Sequence, residues 1–281
     1  MALSIKTNVE SLTAQRNLAQ TSKALAANFG RLSSGMRINT AADDAAGLAI
    51  SERMKASIRS MAQAERNSND GISLLQTAEG ALNENSGVLI RMRELAMQSA
   101  TDTVGTAEKA LLQNEFLQLT NEIDRIATVT EFNGTNLFAA DAAGGFDFQV
   151  GLAAGLGDVI NTGAVDGMAA AAYGATNTNL SLLDISTKLG AIAALGDIDV
   201  AIADTSAARA TYGAVQNRLQ VTTANLMSAR ENLSAANSRI RDVDVAEESA
   251  SMTRNNILMQ AGVAVLSQAN QSPQAALSLL K

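Results

Sequence analysis

The chain has 281 residues, carries 28 acidic against 21 basic side chains for a formal net charge of −7, and is 47% hydrophobic but only 3% aromatic. It contains no cysteine and no histidine, which excludes disulfides, thiolate metal sites, and the commonest general base and metal ligand. The acidic balance, without a basic run of five or more, argues against nucleic acid as a partner, and no stretch approaches the roughly 18 apolar residues needed to span a membrane.

In chain order, the first forty residues place Ile5, Val9, Leu12, Leu18, Leu25 and Leu32 on a narrow apolar stripe, with Phe29 and Met36 beside it. A stripe that narrow makes a helix seam and not a self-sufficient core. It breaks at Ser33-Ser34-Gly35 and Asn39-Thr40, after which Asp43 and Asp44 read as N-cap and first-turn residues of a second helix. That helix is predicted from about Asp44 to Ala100, with Met54, Met61, Leu75, Leu82, Leu89 and Ala96 in one row. Its interior glycines, Gly71, Gly80 and Gly87, cost about 0.8–1 kcal/mol each against alanine, and close helix contacts are the expected compensation. Beyond Asp102-Thr103-Val104-Gly105 a shorter helix carries Leu112, Phe116, Leu119, Ile123 and Ile126 on its stripe. After Asn133-Gly134-Thr135-Asn136 the period changes. Phe146–Gly151 alternates like a half-buried strand, and about 133–190 reads as one or two hairpins with loops.

From Ile198 two rows run in parallel: Ile198, Thr205, Tyr212, Leu219, Leu226, Leu233, Ile240, and Ala201, Ala208, Val215, Thr222, Ala229, Ala236, Val243. Offset by three, they form the a and d seam of a helix that packs lengthwise on other helices. The next row is Val245, Met252, Met259, Leu266, Pro273 and Leu280, so the step after Ile240 is five and not seven. Such a slip rotates the seam and marks a joint between two bundles. Pro273, the only proline, follows Asn270-Gln271-Ser272 and is expected to open a last short helix capped by Ser272. The joints near Asp44 and Val243 lie at matching distances from the two ends. Residues 1–43 and 243–281 are therefore expected to pair as one coiled-coil domain, with 44–242 forming a helical bundle that includes the hairpin region. The predicted fold class is mainly α, built of long antiparallel helices.

The tight acidic clusters, Asp43-Asp44, Asp242-Val243-Asp244 and Glu247-Glu248, read as helix-start charges, since each sits where a register break begins a helix. No calcium loop can be written through them. Gly151, Gly155 and Gly157 are not followed by Gly-Lys-Ser/Thr and read as turn glycines; Met54, Met61, Met92, Met252 and Met259 read as seam filler. Asn-x-Ser/Thr occurs at Asn133, Asn179 and Asn232 and carries little weight. No catalytic, metal or cofactor site is expected. The start, Met1-Ala2-Leu3-Ser4-Ile5-Lys6-Thr7-Asn8, does not resemble a cleavable signal peptide.

One set of motifs is different in kind. Leu32–Ile50 (LSSGMRINTAADDAAGLAI), Asn67–Leu82 (NSNDGISLLQTAEGAL) and Arg91–Ala96 (RMRELA) closely resemble the N-terminal signature of bacterial flagellins. Gly213–Leu219, Ser238–Asp244, Gln260–Gln271 and the final Leu277–Lys281 resemble the family's C-terminal half. The likeness covers nearly 1–138 and 196–281. It implies a filament subunit of the bacterial flagellum whose paired terminal helices make an inner coiled-coil tube, with adjacent helices and a β-hairpin around it and no large inserted outer domain. It implies self-assembly for motility into a hollow homopolymer, type III export with the flagellar export apparatus and its chaperone, and contact with hook–filament junction and filament cap proteins. The expected location is secreted and extracellular, in the filament, with no membrane and no nucleic acid partner. Alternatives are a hook–filament junction protein, or an intracellular coiled-coil scaffold; an enzyme of the metallopeptidase kind would need histidine.

On this reading Ile5, Leu12, Leu18, Leu25, Leu32, Val245, Met252, Met259, Leu266 and Leu280 form the assembly coiled coil. Leu75, Leu82, Leu89, Phe116, Ile123, Leu219, Leu226 and Leu233 form the bundle seam. The resemblance further places recognition by the flagellin-sensing Toll-like receptor of animals on Ile90, Arg91, Leu95, Gln98, Glu115, Ile198, Ile202 and Arg218, with Ile90 standing where glutamine is usual.

Overall fold

The structure, a computed structural model, describes residues 7–138, 145–153, 155–163, 173 and 179–278. Its helices are α1 (Val9–Ser34), α2 (Ala45–Ser99), α3 (Thr106–Val129), α4 (Lys188–Arg241) and α5 (Val245–Ser278). Between α3 and α4 lie β1 (Glu131–Phe132), β2 (Thr135–Asn136), β3 (Asp147–Gln149) and β4 (Val159–Asn161), paired antiparallel as β1–β2 and β3–β4. The fold is mainly α with two small hairpins. The chain divides into a terminal unit, 1–58 with 231–281, and a middle unit, 59–230.

Helix ends follow local chemistry. Asn8 caps α1 by accepting from the Ser11 amide at 3.1 Å, and Gly35 ends it at φ +70°, a left-handed conformation that favours glycine. Asp44 caps α2, accepting from the Gly47 amide at 2.8 Å. Asp43 stays outside the helix; its carboxylate accepts from the amide and hydroxyl of Thr40, both at 2.9 Å, and closes the preceding turn. At the second joint Asp244 accepts from the amides of Ala246 and Glu247, with Glu247 and Glu248 in the first turn of α5.

Three expectations are corrected. Asp44, and not Asp43, caps α2, whose first turn holds no acidic residue. Pro273 does not open a new helix, because α5 runs unbroken from Val245 to Ser278. Proline has no N–H for the carbonyl four residues back, that of Ala269, and the Asn8 side-chain amide donates there instead at 2.8 Å. Of Gly71, Gly80 and Gly87, close packing explains only Gly71. A Cβ on Gly71 would meet the Phe148 ring at 3.0–3.1 Å, whereas Gly80 and Gly87 face nothing within 4 Å.

The middle unit buries Leu75, Leu82 and Leu89 of α2, Phe116 and Ile123 of α3, and Ile198, Ala201, Tyr212, Val215 and Leu219 of α4 in one hydrophobic cluster. Polar links cross from α2 to α4 on its flank: Glu65 to Arg230 at 2.6 Å, Glu79 to Gln216 at 3.0 Å, and Arg93 to Asp199 at 2.6 Å. Each link forms in one alignment only, so together they hold the register that apolar contacts leave free. Tyr173 is buried, and because Thr205 donates its hydroxyl proton to the Ala201 carbonyl, Tyr173 is the donor to Thr205 at 3.0 Å.

The β1–β2 hairpin turns on Asn133 and Gly134, both at positive φ (+51° and +78°), the two-residue turn that matches strand twist. In β3–β4, Phe148 pairs with Ile160, and the hairpin is tied to α2 by the Asn67 amide donating to the Gln149 carbonyl at 2.9 Å. Beyond β3 the amides of Val150 and Gly151 both donate to the Asp158 carbonyl at 2.9 Å.

Candidate assembly site

In the terminal unit α1 and α5 pair along their length. The α1 residues turned inward are Ser11, Ala14, Leu18, Thr21, Leu25, Asn28 and Leu32, alternating steps of three and four, as a coiled-coil seam requires. The α5 side runs through Met252, Asn255, Met259, Gly262, Leu266 and Ala269 with the same alternation. Leu18 packs on Gly262, its Cδ1 being 3.2 Å from where a Cβ would stand.

Of the expected assembly residues, Leu18, Leu25, Leu32, Met252, Met259 and Leu266 lie on this seam. Leu12 does not. It stands six residues before Leu18, one short of a heptad, so Ser11 takes the seam position and Leu12 is 55% exposed. Val245 is in register but 60% exposed at the start of α5. Ile5 and Leu280 fall outside the described residues. Of the expected bundle residues, seven are buried, and Leu233 is the exception: it is half-buried and belongs to the terminal unit.

Polar layers interrupt the seam. Ser11 donates to the Asn270 side chain at 2.8 Å, Asn255 donates to Asn28 at 3.2 Å, and Arg31 lies 3.8 Å from Glu248. The remaining faces of the pair keep several large apolar side chains exposed. Val9, Leu12 and Phe29 of α1, and Ile257, Leu258, Val263 and Val265 of α5, are all 51–65% exposed. Exposed apolar side chains on both helices leave surface that burial against another molecule would cover.

The joint between the helices was not legible as a site. Met36 and Asp242 form a strand-like bridge, the Arg37 amide donates to the Arg241 carbonyl at 2.6 Å, and the Val243 amide donates to the Gly35 carbonyl at 3.1 Å. The Arg37 guanidinium reaches the Ile240 carbonyl at 2.7 Å, and Arg241 pairs with Glu52 at 2.5 Å. These bonds tie the ends of α1 and α4 and the starts of α2 and α5 together. The signal available in sequence was the paired breaks themselves, since backbone groups freed at two helix ends must find partners.

The eight residues carried over as a receptor patch do not all share a surface. Leu95 and Ile198 are core residues, 1% and 0% exposed. Ile198 belongs to the inward row of α4, where the heptad pattern itself places it. Ile90, Arg91, Gln98, Glu115 and Arg218 are exposed and Ile202 is half-buried. Arg91 bridges Glu115 at 2.7 Å and Glu94 at 3.0 Å, and the Glu115 bond is the main influence raising its guanidinium above the usual value. Arg218 lines an open groove of about 540 Å³ between α4 and the β3–β4 hairpin, with Asn217, Asp158 and Ile160. Among the described residues no group of three or more His, Cys, Asp or Glu could hold a metal ion, and no helix is long and apolar enough to cross a membrane.

Comparison with known proteins places this arrangement. Residues 5–143 match the bacterial flagellin N-terminal helical region and residues 195–280 match the bacterial flagellin C-terminal helical region. A flagellin of Halalkalibacterium halodurans is 47% identical over 277 residues, and one of Bacillus subtilis is 42% identical over 307, each alignment covering 99% of both chains. A flagellar filament 33 kDa core protein of Treponema phagedenis is 42% identical over 287 residues, again at 99% of both chains. The crystal structure of Bacillus cereus flagellin is 34% identical, with 61% of this chain and 94% of that chain covered at a TM-score of 0.49. The two family regions leave little between them, which fits a short form carrying the terminal regions alone. The chain belongs to the bacterial flagellin family and is a structural subunit of the flagellar filament, not an enzyme.

Proposed function

We propose that this subunit polymerises through its α1–α5 pair, residues 1–43 and 243–281 acting as one inner coiled-coil domain and 44–242 as a helical bundle domain. The observation that carries the reading is the apolar surface left on the pair after its own seam is closed, from Val9 to Phe29 on α1 and from Ile257 to Val265 on α5. A surface of this kind that contacts a different surface on the next copy propagates instead of closing, and the product is a filament. The seam is narrow and interrupted by polar layers, and an isolated helix pair of that kind hardly offsets about 1–2 kcal/mol of backbone entropy per residue. The ends therefore order fully on assembly. Seeding the purified protein with short filaments should give growth visible by electron microscopy, and limited proteolysis should trim both ends of the monomer but spare the polymer. Ends equally resistant in both states would contradict the reading.

Export through the flagellar type III apparatus with a chaperone, contact with junction and cap proteins, and an extracellular place in a filament that drives motility follow from family membership and are proposed with it. The exposed set Ile90, Arg91, Gln98, Glu115, Ile202 and Arg218 is proposed as the part of the receptor patch that a Toll-like receptor would contact on the monomer. Arg91→Ala should weaken monomer binding to purified receptor and Ile90→Gln should strengthen it, by restoring an amide able to hydrogen-bond; binding unchanged by Arg91→Ala would remove the patch.

A further inference from the structure

We infer that the polar layers of the α1–α5 seam, acting with the backbone bonds of the joint and not through its apolar residues, decide which helices pair and in what register along their length; this rests on the reading that the pair assembles the filament. Most of the seam is permissive. Leu25 and Leu32 would meet apolar residues of the Met252, Met259, Leu266 row one heptad away as well, because apolar burial is non-directional; Leu18, which packs closely on Gly262, is the exception.

The Asn28–Asn255 layer is not permissive. Asn28 is 5% exposed, and its side-chain oxygen accepts from the Asn255 amide at 3.2 Å. Sliding α5 by one heptad in one direction sets Gly262, which has no side chain, against Asn28. Sliding it the other way sets Glu248 there and takes that carboxylate from Arg31. A buried amide on a coiled-coil seam specifies alignment because its bond forms in one register only. Ser11 and Asn270, hydrogen-bonded at 2.8 Å, repeat the device near the other end.

The Arg31–Glu248 contact at 3.8 Å chooses the partner. Two α1 helices aligned in parallel would satisfy both Asn28 amides but bring two Arg31 guanidinium groups together, and two α5 helices would do the same with Glu248. Among these, only α1 against α5 satisfies the amide layer and opposes unlike charges, so the parallel like pairings are rejected as well as the right one favoured. Asp43, 3.7 Å from Arg31, adds to the negative field that Arg31 meets at the joint.

Because the chain has no cysteine, introduced pairs report alignment without background. In full-length protein grown on seeds, Leu18→Cys with Gly262→Cys reads the native register, and Leu18→Cys with Ala269→Cys reads the register one heptad away. Mild oxidation should close the first pair within each chain and leave the second open. Adding Asn28→Leu and Asn255→Leu should lower closure of the first pair several-fold and make the second close. Arg31→Glu should likewise lower closure of the first pair, and Glu248→Arg added to it should restore closure. First-pair closure unchanged by the leucine substitutions, with the second pair still open, overturns the inference. Seeded growth is read separately: chains that close the first pair yet fail to grow contradict the assembly reading and leave the layers standing.

Discussion

The Asn8 side-chain amide donates to the Ala269 carbonyl at 2.8 Å, and Ala269 is the residue whose carbonyl Pro273 leaves without its helical donor. The same side chain caps α1 through its oxygen, so one asparagine serves the start of one helix and a proline defect in another. Both groups are local requirements of a helix, yet they are met by residues at opposite ends of the chain.

Replacing Asn8 with serine keeps a capping acceptor but removes the amide, and leaves the Ala269 carbonyl, on a residue 8% exposed, without a partner. The expected cost to the α1–α5 pair is about 1–3 kcal/mol. In a Pro273→Ala background the helix supplies its own N–H, and the same Asn8→Ser change should cost little. Denaturant melting of assembled filaments measures the four variants of that cycle; equal costs in the two backgrounds would show that the amide does nothing for the carbonyl.

Much of this was legible in the sequence because a seam repeats. Leu75, Leu82 and Leu89, and Ile198 to Leu219, announce their burial by seven-residue spacing, and the five-residue step after Ile240 marked where α4 ends. The illegible parts depend on partners far along the chain. Nothing near Pro273 indicates that Asn8 will compensate it. Ser11 loses the apolar competition with Leu12 on composition and wins the seam on register. Ile198 stands in the inward row of α4 by its seven-residue spacing, so periodicity is the better guide there; Leu95 lies beside the α2 row, and only the structure shows its burial.

The two kinds of apolar residue should separate on mutation. Leu82 is fully buried among the helices of the middle unit, and Leu82→Ala should destabilise the monomer by about 2–5 kcal/mol. Ile257 is 61% exposed on α5, and Ile257→Ala should leave monomer melting unchanged while raising the concentration needed for seeded growth. Calorimetry of the monomer together with light scattering during growth distinguishes them, and similar monomer destabilisation by both would contradict the division.

The α2 glycines should respond oppositely to one substitution. Gly80 faces open space, so Gly80→Ala should gain up to about 1 kcal/mol by removing backbone freedom from the unfolded chain. Gly71→Ala forces a Cβ to 3.0–3.1 Å from the Phe148 ring, which must shift within the β3–β4 hairpin. That change should cancel the gain or turn it into a loss. Thermal midpoints of the two monomers test this; a gain at Gly71 as large as at Gly80 would mean the hairpin yields freely.

Asp43 supplies a pH-dependent element at the joint. The Thr40 amide and hydroxyl, which donate to its carboxylate at 2.9 Å, hold it below the ordinary aspartate value of 3.8, with Asn39 and Arg31 adding to the effect. A carboxyl depressed in the folded state binds protons more readily when unfolded, so it stabilises the fold above its ordinary value and loses that contribution as pH falls through the lower folded value. Asp43→Asn should therefore lower stability at neutral pH, keep that deficit down to about pH 4, and show a closing gap from the parent below it. Urea midpoints of both proteins between pH 2 and 7 measure the gap. A gap of constant size across that range would show that the Thr40 hydrogen bonds, and not the charge they stabilise, are what Asp43 contributes.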